Sequence, residues 1–230
     1  MTPYYDEDGI VIYHGDCREV IPRVDATTIA LLLTDPPYGL NFVASSRAEP
    51  GKFEGEQVVG DDQLFDPRPL LRFGRCVIFG ANYFAHFLPP GGWIIWSKVQ
   101  DNRWSHGAMS TRSLAEVAWT NCHKYVGLYN YFWAGSPMYR LGEERGSQLH
   151  PTQKPVELMR YIVGRLTEPG DLVLDPYMGS GPVARACLDL ERRYIGIEVE
   201  ERYCEIAAKR LGQGVLAFGE PARPTPEVVA

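Results

Sequence analysis

The sequence of 230 residues lacks the patterns that mark secreted, membrane-spanning and zinc-binding proteins. Its five cysteines are scattered and form no Cys-x-x-Cys pair, which argues against a zinc site and against a disulfide framework. No apolar run approaches the roughly 20 residues that a membrane span needs. The amino terminus has no charged segment followed by an apolar one. We therefore expect a cytoplasmic protein with no membrane contact and no resident metal.

An overall positive charge is also lacking. The net charge is −6 and the pI is near 5.4, which argues against a protein that coats nucleic acid through its overall charge. Any contact with nucleic acid must then come from a local patch. With 45% hydrophobic and 23% charged residues, the chain can bury one sizeable core. A single domain is expected.

The most informative stretch is Asp35-Pro36-Pro37-Tyr38, which follows an apolar run at 29–33. The run is too short for an ordinary helix and predicts a buried strand, so the tetrapeptide lies at the strand's carboxyl end. In an open parallel sheet, ligands bind at those ends. An acid, two rigid prolines and an aromatic ring would then form the mouth of a site. A simple turn with a capping acid is the alternative.

A second motif follows another predicted strand, at 171–175. Asp175-Pro176-Tyr177-Met178-Gly179-Ser180-Gly181 leads into a predicted helix at 183–190 and a strand at 194–198 that ends in Glu198. In this strand–helix–strand unit the glycines let a ligand approach the backbone, and Glu198 is placed to bind two ribose hydroxyls. The glycine spacing also satisfies the dinucleotide fingerprint, so an NAD-dependent oxidoreductase stays open.

Local patterns predict the other elements. We expect strands at 9–14, 76–80, 93–98 and 114–120, and helices at 17–21, 64–73, 84–88, 156–163 and 200–211.

The two motifs together resemble those of the amino-group DNA methyltransferases, which move a methyl group from S-adenosylmethionine to an exocyclic nitrogen of a base. The family usually has Phe where this chain has Tyr177. Because the catalytic motif precedes the cofactor glycines, the resemblance is to the circularly permuted subgroup. It covers about residues 9–211 and implies an α/β, Rossmann-like fold. In that fold a mostly parallel seven-stranded sheet contains one antiparallel strand and has helices on both faces.

The resemblance implies a direct transfer. An exocyclic amine is a poor nucleophile because its lone pair is delocalised into the ring. Acceptors on Asp35 and on the Pro36 carbonyl would draw it toward a tetrahedral geometry, while Pro37 holds the turn and the extruded base stacks on Tyr38. Asp35 at the head of the motif favours adenine N6, since many cytosine N4 enzymes carry Ser there. Cytosine N4 is the nearest alternative; an RNA methyltransferase and a DNA-binding protein without turnover are more distant.

Further cofactor residues follow from the resemblance. Asp16 after the first strand resembles the acceptor for the cofactor's adenine amine, and helix capping is its alternative role. Thr152 and Lys154 resemble the family's Thr-x-Lys-Pro beside the methionine end, with a helix cap and a solvated charge as alternatives. The predicted cofactor set is Asp16, Cys17, Asp35, Thr152, Lys154, Asp175, Pro176, Tyr177, Gly179, Ser180, Gly181 and Glu198.

Basic and aromatic residues are interleaved between residues 100 and 154, which suits phosphates and extruded bases. The predicted DNA-binding residues are Arg103, Arg112, Lys124, Tyr139, Arg140 and Arg145. We expect one methyltransferase domain at 1–211, with a mobile loop at 40–62, a small target-recognition insertion at about 135–149 and a loose tail at 212–230. The implied partner is double-stranded DNA, which places the protein at the nucleoid. The resemblance also allows a homodimer and a cognate restriction nuclease.

Overall fold

One mixed sheet organises the part of the chain that this computed structural model describes, residues 2–43, 55–98, 113–131 and 153–212. The strands are β1 (Tyr5–Glu7), β2 (Ile10–His14), β3 (Leu31–Thr34), β4 (Cys76–Phe79), β5 (Gly92–Ser97), β6 (Ala115–Thr120), β7 (Val126–Asn130), β8 (Leu172–Asp175) and β9 (Arg193–Glu198). The helices are α1 (Cys17–Val20), α2 (Val156–Leu166), α3 (Pro182–Asp189) and α4 (Glu201–Gly212).

The strand order is β1-β2-β9-β8-β3-β4-β6-β5-β7. From β2 to β4 all neighbours are parallel, while β6 is antiparallel to both β4 and β5. The sheet therefore contains the expected antiparallel strand, but it has nine strands in its described part rather than seven. One addition is β1, which pairs antiparallel with β2 through a turn at Asp8 and Gly9, both with positive φ as a tight hairpin requires.

Both faces of the central strands are covered, so β3 and β4 are apolar except for Thr34 at the end of β3. Every residue of β3 and of β4 is buried. On one face Leu31 and Leu33 belong to a core shared with α2, α3 and α4. On the other face Leu32 and Ile78 pack with residues of 17–29 and 70–88. This alternation fixes the strands in a three-layer arrangement.

The strand order reverses between β3 and β8. The chain runs from β3 outward to β4 on one side and from β8 through α3 outward to β9 on the other. Such a switch point opens a crevice at the carboxyl ends of the two strands, where ligands bind. Asp35 follows β3 and Asp175 ends β8, so both motifs border this crevice.

The helix expected at 64–73 is wrong. The structure contains only a short 3-10 turn there, Arg68–Leu70. Pro67 and Pro69 lack the N–H groups that a helix needs, and each disfavours helical geometry in the residue before it. The segment still contributes Leu70 and Phe73 to the core.

Several expected segments lie wholly or partly outside the described residues. They are residues 44–54 of the expected loop, the recognition insertion at about 135–149, and the tail beyond Gly212, which itself ends α4. Within the described ranges, no helix is both long and apolar enough to cross a membrane.

Candidate active site

Asp35 lies at the crevice between β3 and β8 and is oriented from two sides. One carboxylate oxygen is 2.5 Å from Lys154 Nζ, and the other accepts a hydrogen bond from the Tyr38 hydroxyl at 2.5 Å. Burial raises the pKa of Asp35, and the Lys154 ammonium opposes that rise. The side chain nevertheless keeps 22% of its surface exposed. A carboxylate has about four acceptor positions, so Asp35 can still accept from a ligand.

Lys154 is buried between two acids rather than solvated. Its Nζ lies 3.0 Å from Glu116 Oε2 as well as against Asp35, and Glu116 also pairs with Lys98. Burial disfavours the charge on Lys154, but the two carboxylates outweigh burial and raise its pKa. Burial also disfavours the charged form of Glu116, which by itself would raise its pKa. The ammonium groups of Lys154 and Lys98 outweigh burial and lower that pKa to about 2. Charges therefore alternate in sign from Asp35 through Lys154 and Glu116 to Lys98.

The ring of Tyr38 is held between aromatic and backbone neighbours. It stacks on Tyr83, with 5.3 Å between centroids and 22° between ring planes. On another side it touches Gly80, the residue after β4, where an added Cβ would lie 2.0 Å from the ring. Tyr83 is 42% exposed, so the ring pair reaches the surface beside Asp35. A planar group can stack on such a ring.

The glycine turn after β8 builds the neighbouring half of the site. Gly179 and Gly181 have φ values of +54° and +74°, which favour glycine. The Gly179 N–H donates to Glu198 at 2.8 Å, so the turn and the end of β9 are tied together. The buried Ser180 hydroxyl has no partner among the described residues. An unsatisfied buried hydroxyl in an open glycine turn fits a ligand that supplies the missing hydrogen bond.

Asp175 joins the two motifs. It accepts a hydrogen bond from Thr34 at 2.7 Å, which links the end of β3 directly to the end of β8. Burial raises the pKa of Asp175 to about 7, against the hydrogen bonds from Thr34 and the Tyr177 N–H. The crevice is thus lined by two carboxyl groups of separate strands that sense each other's charge.

Comparison with known proteins decides the family. A family model described as DNA methylase matches residues 89–209, more than half of the chain. The chain belongs to this family. It is 28% identical to the type II methyltransferase M2.DpnII of Streptococcus pneumoniae, over 91% of this chain and 92% of that protein. It is 24% identical to the type II methyltransferase M2.LlaDCHI of Lactococcus lactis subsp. cremoris, over 92% of this chain and 93% of that protein.

A solved structure supports the fold of this DNA methylase. The crystal structure of the M1.HpyAVI–SAM complex is 28% identical and superposes with a TM-score of 0.55, covering 87% of this chain and 99% of that one. The Rossmann-like methyltransferase fold that the motifs implied is confirmed. Assignment of the methylase to the circularly permuted subgroup stays a prediction.

The structure brings most of the predicted cofactor residues to one edge of the sheet. Asp16, after β2, caps α1 by accepting the Arg18 N–H at 2.8 Å, so its alternative role as a helix cap is confirmed. Cys17 begins α1 and is buried, and Tyr177, two residues after the end of β8, is half-buried. Thr152 lies outside the described residues.

Five of the six predicted DNA-binding residues lie outside the described residues. Only Lys124 of that set is described; Arg103, Arg112, Tyr139, Arg140 and Arg145 lie outside. Lys124 is exposed in the turn after β6. Because β6 runs antiparallel to β4, this turn lies at the edge of the sheet opposite Asp35. Lys124 is therefore distant from Asp35, and its contact with DNA stays a prediction.

Four residues of the site escaped the sequence interpretation as functional residues: Lys98, Glu116, Asp61 and Tyr83. A charged residue inside an apolar strand was the available signal for Glu116, which is flanked by Ala115, Val117 and Ala118 in β6. No pattern in the sequence around Asp61 indicates a functional role. Its carboxylate accepts hydrogen bonds from the backbone N–H groups of Tyr38 and Gly39.

We expect Gly80→Ala to impair methyl transfer by displacing Tyr38. The new Cβ would lie 2.0 Å from the Tyr38 ring, and φ of +71° adds backbone strain. Gly170→Ala is the matched control, because Gly170 has φ of +84° but nothing within 4 Å of an added Cβ. Both variants should lose about 1 kcal/mol of stability from strain, and only Gly80→Ala should also lose activity per folded molecule. Equal specific activities would show that the Tyr38 ring position is not required.

Proposed function

We propose that this DNA methylase transfers the methyl group of S-adenosylmethionine to the exocyclic N6 of adenine in double-stranded DNA. The observation that carries the proposal is the position of Asp35. It is partly exposed, held from behind by the buried Lys154, and set beside Asp175 and the glycine turn at the switch point. The M1.HpyAVI relative, whose solved structure contains S-adenosylmethionine, supports the choice of cofactor.

The residues of the tetrapeptide would prepare the amine. Asp35 accepts one N–H of the target and the Pro36 carbonyl accepts the other, so the nitrogen lone pair turns out of conjugation toward the methyl group. Pro36 and Pro37 hold both acceptors on a stiff backbone. When bound, S-adenosylmethionine supplies a methyl group on a positively charged sulfur that leaves as a neutral thioether.

The bond changes balance without a covalent enzyme intermediate. The amine nitrogen forms a bond to the methyl carbon while the carbon–sulfur bond breaks, and its electron pair stays on sulfur. The methylated nitrogen then carries one proton too many. Asp35, already in contact with that N–H, is placed to accept the proton, and the ammonium of Lys154 offsets the carboxylate charge until then. The enzyme contributes position and electrostatics.

The cofactor would lie across the ends of β2, β9 and β8. Glu198 is placed for the ribose hydroxyls: its oxygens accept the Gly179 and Glu200 N–H groups, and a carboxylate has about four acceptor positions. Burial raises the pKa of Glu198, and hydrogen-bond donors from a ligand would favour its ionised form. The free Ser180 hydroxyl and the glycine turn would bind the other end. Asp16 is the proposed acceptor for the cofactor's adenine amine.

Adenine is proposed over cytosine because Asp35 heads the catalytic motif. Membership of the DNA methylase family favours methyl transfer over the NAD-dependent alternative, and DNA over RNA. The target-recognition insertion, the homodimer and the cognate nuclease stay predictions.

Incubation of the purified protein with duplex DNA and methyl-labelled S-adenosylmethionine tests the proposal. The DNA is digested to nucleosides, and the labelled nucleoside is identified by chromatography and mass. We expect N6-methyldeoxyadenosine. Labelled N4-methyldeoxycytidine would be consistent with the proposed mechanism but would show that cytosine, not adenine, is the target base. Absence of label in both DNA and RNA, with cofactor binding intact, would contradict the roles given to Asp35 and Tyr38.

A further inference from the structure

We propose that Asp61 is a positioning residue that fixes the catalytic tetrapeptide through the backbone that follows it. The inference rests on the proposed function, because it concerns the geometry that methyl transfer requires. Asp61 lies outside both motifs of the sequence. It precedes the segment whose Leu70 and Phe73 pack in the core with β4. It is 4% exposed, unlike its neighbour Asp62, which is exposed.

Asp61 binds five consecutive backbone N–H groups. Its Oδ1 accepts from Tyr38 at 2.7 Å, Gly39 at 2.8 Å and Leu40 at 3.3 Å, its Oδ2 accepts from Phe42 at 2.7 Å, and its main-chain carbonyl accepts from Asn41 at 2.7 Å. Within the described ranges, no basic side chain forms an ion pair with this carboxylate. The backbone dipoles therefore carry its electrostatic stabilisation.

The conformation of residues 38–42 explains how so many N–H groups converge. Gly39 has φ of +81° and Asn41 has φ of +50°, so left-handed residues recur along the segment. Left-handed residues that alternate with others can turn successive N–H groups into one concave anion site. In this protein Asp61 supplies the anion from within the chain.

The segment around Asp61 also backs directly onto the tetrapeptide. A Cβ on Gly39 would lie 2.8 Å from the backbone of Gln63, and a Cβ on Gly60 would lie 3.6 Å from the Pro37 ring. The Asp61 N–H is itself bound to the Val58 carbonyl at 3.1 Å. Asp61 is thus fixed at both its backbone and its side chain.

The prolines make this anchor necessary. Pro36 and Pro37 have no N–H group, so no backbone donor of their own can hold them. Tyr38 carries the first N–H after Asp35, and that N–H donates to Asp61. This N–H belongs to the peptide group between Pro37 and Tyr38. The peptide group before it carries the Pro36 carbonyl, which is the second proposed acceptor for the amine. Loss of the anchor would therefore loosen both the Pro36 carbonyl and the Tyr38 ring.

The test compares Asp61→Asn and Asp61→Ala with the control Asp62→Asn in single-turnover methylation of duplex DNA. A displacement of about 1 Å in a catalytic group costs about 100-fold in rate. We expect a loss of that order for Asp61→Ala and a smaller loss for Asp61→Asn, which keeps one acceptor oxygen. Asp62→Asn should match the wild type. Cofactor affinity, measured by calorimetry, should change little, because Asp16, Ser180 and Glu198, which we propose bind the cofactor, lie after β2, after β8 and at the end of β9.

A double-mutant cycle with Tyr38→Phe separates positioning from general stability. If Asp61 acts through the tetrapeptide, the two effects on rate per folded molecule will be non-additive. Additive effects, or equal rates for Asp61→Asn and Asp62→Asn, would overturn the inference while wild-type activity upholds the proposed function. A wild type that binds cofactor but methylates no nucleic acid would instead refute the proposed function.

Discussion

Replacement of Asp35 by alanine should lower the rate of methyl transfer by about 100- to 1000-fold, the range found when one preorganised polar group is removed from an active site. The variant lacks the carboxylate that we propose accepts the amine N–H and the product proton. The protein should still fold, since Lys154 keeps its ion pair with Glu116, and the lost side chain leaves no buried charge unpaired. Single-turnover transfer of labelled methyl to duplex DNA measures the effect.

Two further variants make the result specific. Asp35→Asn keeps one acceptor oxygen but no charge, so its rate should lie between those of the wild type and the alanine variant. Asp6→Asn, on the exposed β1 strand, should be indistinguishable from the wild type. A wild-type rate for Asp35→Ala would show that the tetrapeptide takes no part in the mechanism. Loss of cofactor binding together with transfer would assign Asp35 to the cofactor instead.

The parts of the site that the sequence predicted lie at the ends of buried strands. A parallel strand that is covered on both faces has a short, continuous apolar sequence. The strands at 31–34 and 172–175 could therefore each be predicted from their own sequence. Carboxyl ends of parallel strands meet at one edge. The sequence alone could therefore place Asp35 and Asp175 together, although they lie in distant parts of the chain.

The contacts and residues that escaped prediction depend on strand direction and on distant partners. Asp35 and Lys154 were each predicted as site residues, but their ion pair was not, because they are 119 positions apart and neither flanking sequence indicates the other. Glu116 reaches the site only because β6 runs antiparallel, which brings the start of that strand to the catalytic edge. The same reversal carries Lys124, beyond the end of β6, to the opposite edge. A local pattern shows that a strand exists and leaves its direction open.

Replacement of Lys154 by methionine should destabilise the fold by about 3–5 kcal/mol, the cost of breaking a buried ion pair by removing one partner. The variant would leave Asp35 and Glu116 facing each other without the ammonium that lies 2.5 Å and 3.0 Å from them. Lys209→Met is the matched control. Lys209 pairs with Glu205 on the surface with 70% of its side chain exposed, and such a pair contributes at most about 0.5 kcal/mol. Urea unfolding at pH 7 compares the two.

The loss of stability caused by Lys154→Met should be smaller at acid pH. Glu116 has its pKa lowered to about 2 in the folded protein, so its contribution to stability is fully present above its ordinary pKa of 4.5 and is lost as the pH falls toward 2. Lys154→Met removes much of that contribution. The free-energy difference between variant and wild type should therefore be larger at pH 7 than at pH 4. A deficit independent of pH would point to packing rather than charge.

Activity should shift with pH in opposite directions in two variants, because both Lys154 and Glu116 act on the charge of Asp35. Burial and Glu116 raise the pKa of Asp35, whereas Lys154 lowers it. In the proposed mechanism transfer needs the ionised carboxylate, so Lys154→Met should move the acid limb of kcat/KM to higher pH. Glu116→Gln should move it to lower pH. Shifts of the same sign would refute an electrostatic role for this buried network, since a shared loss of structure cannot move a titration in two directions.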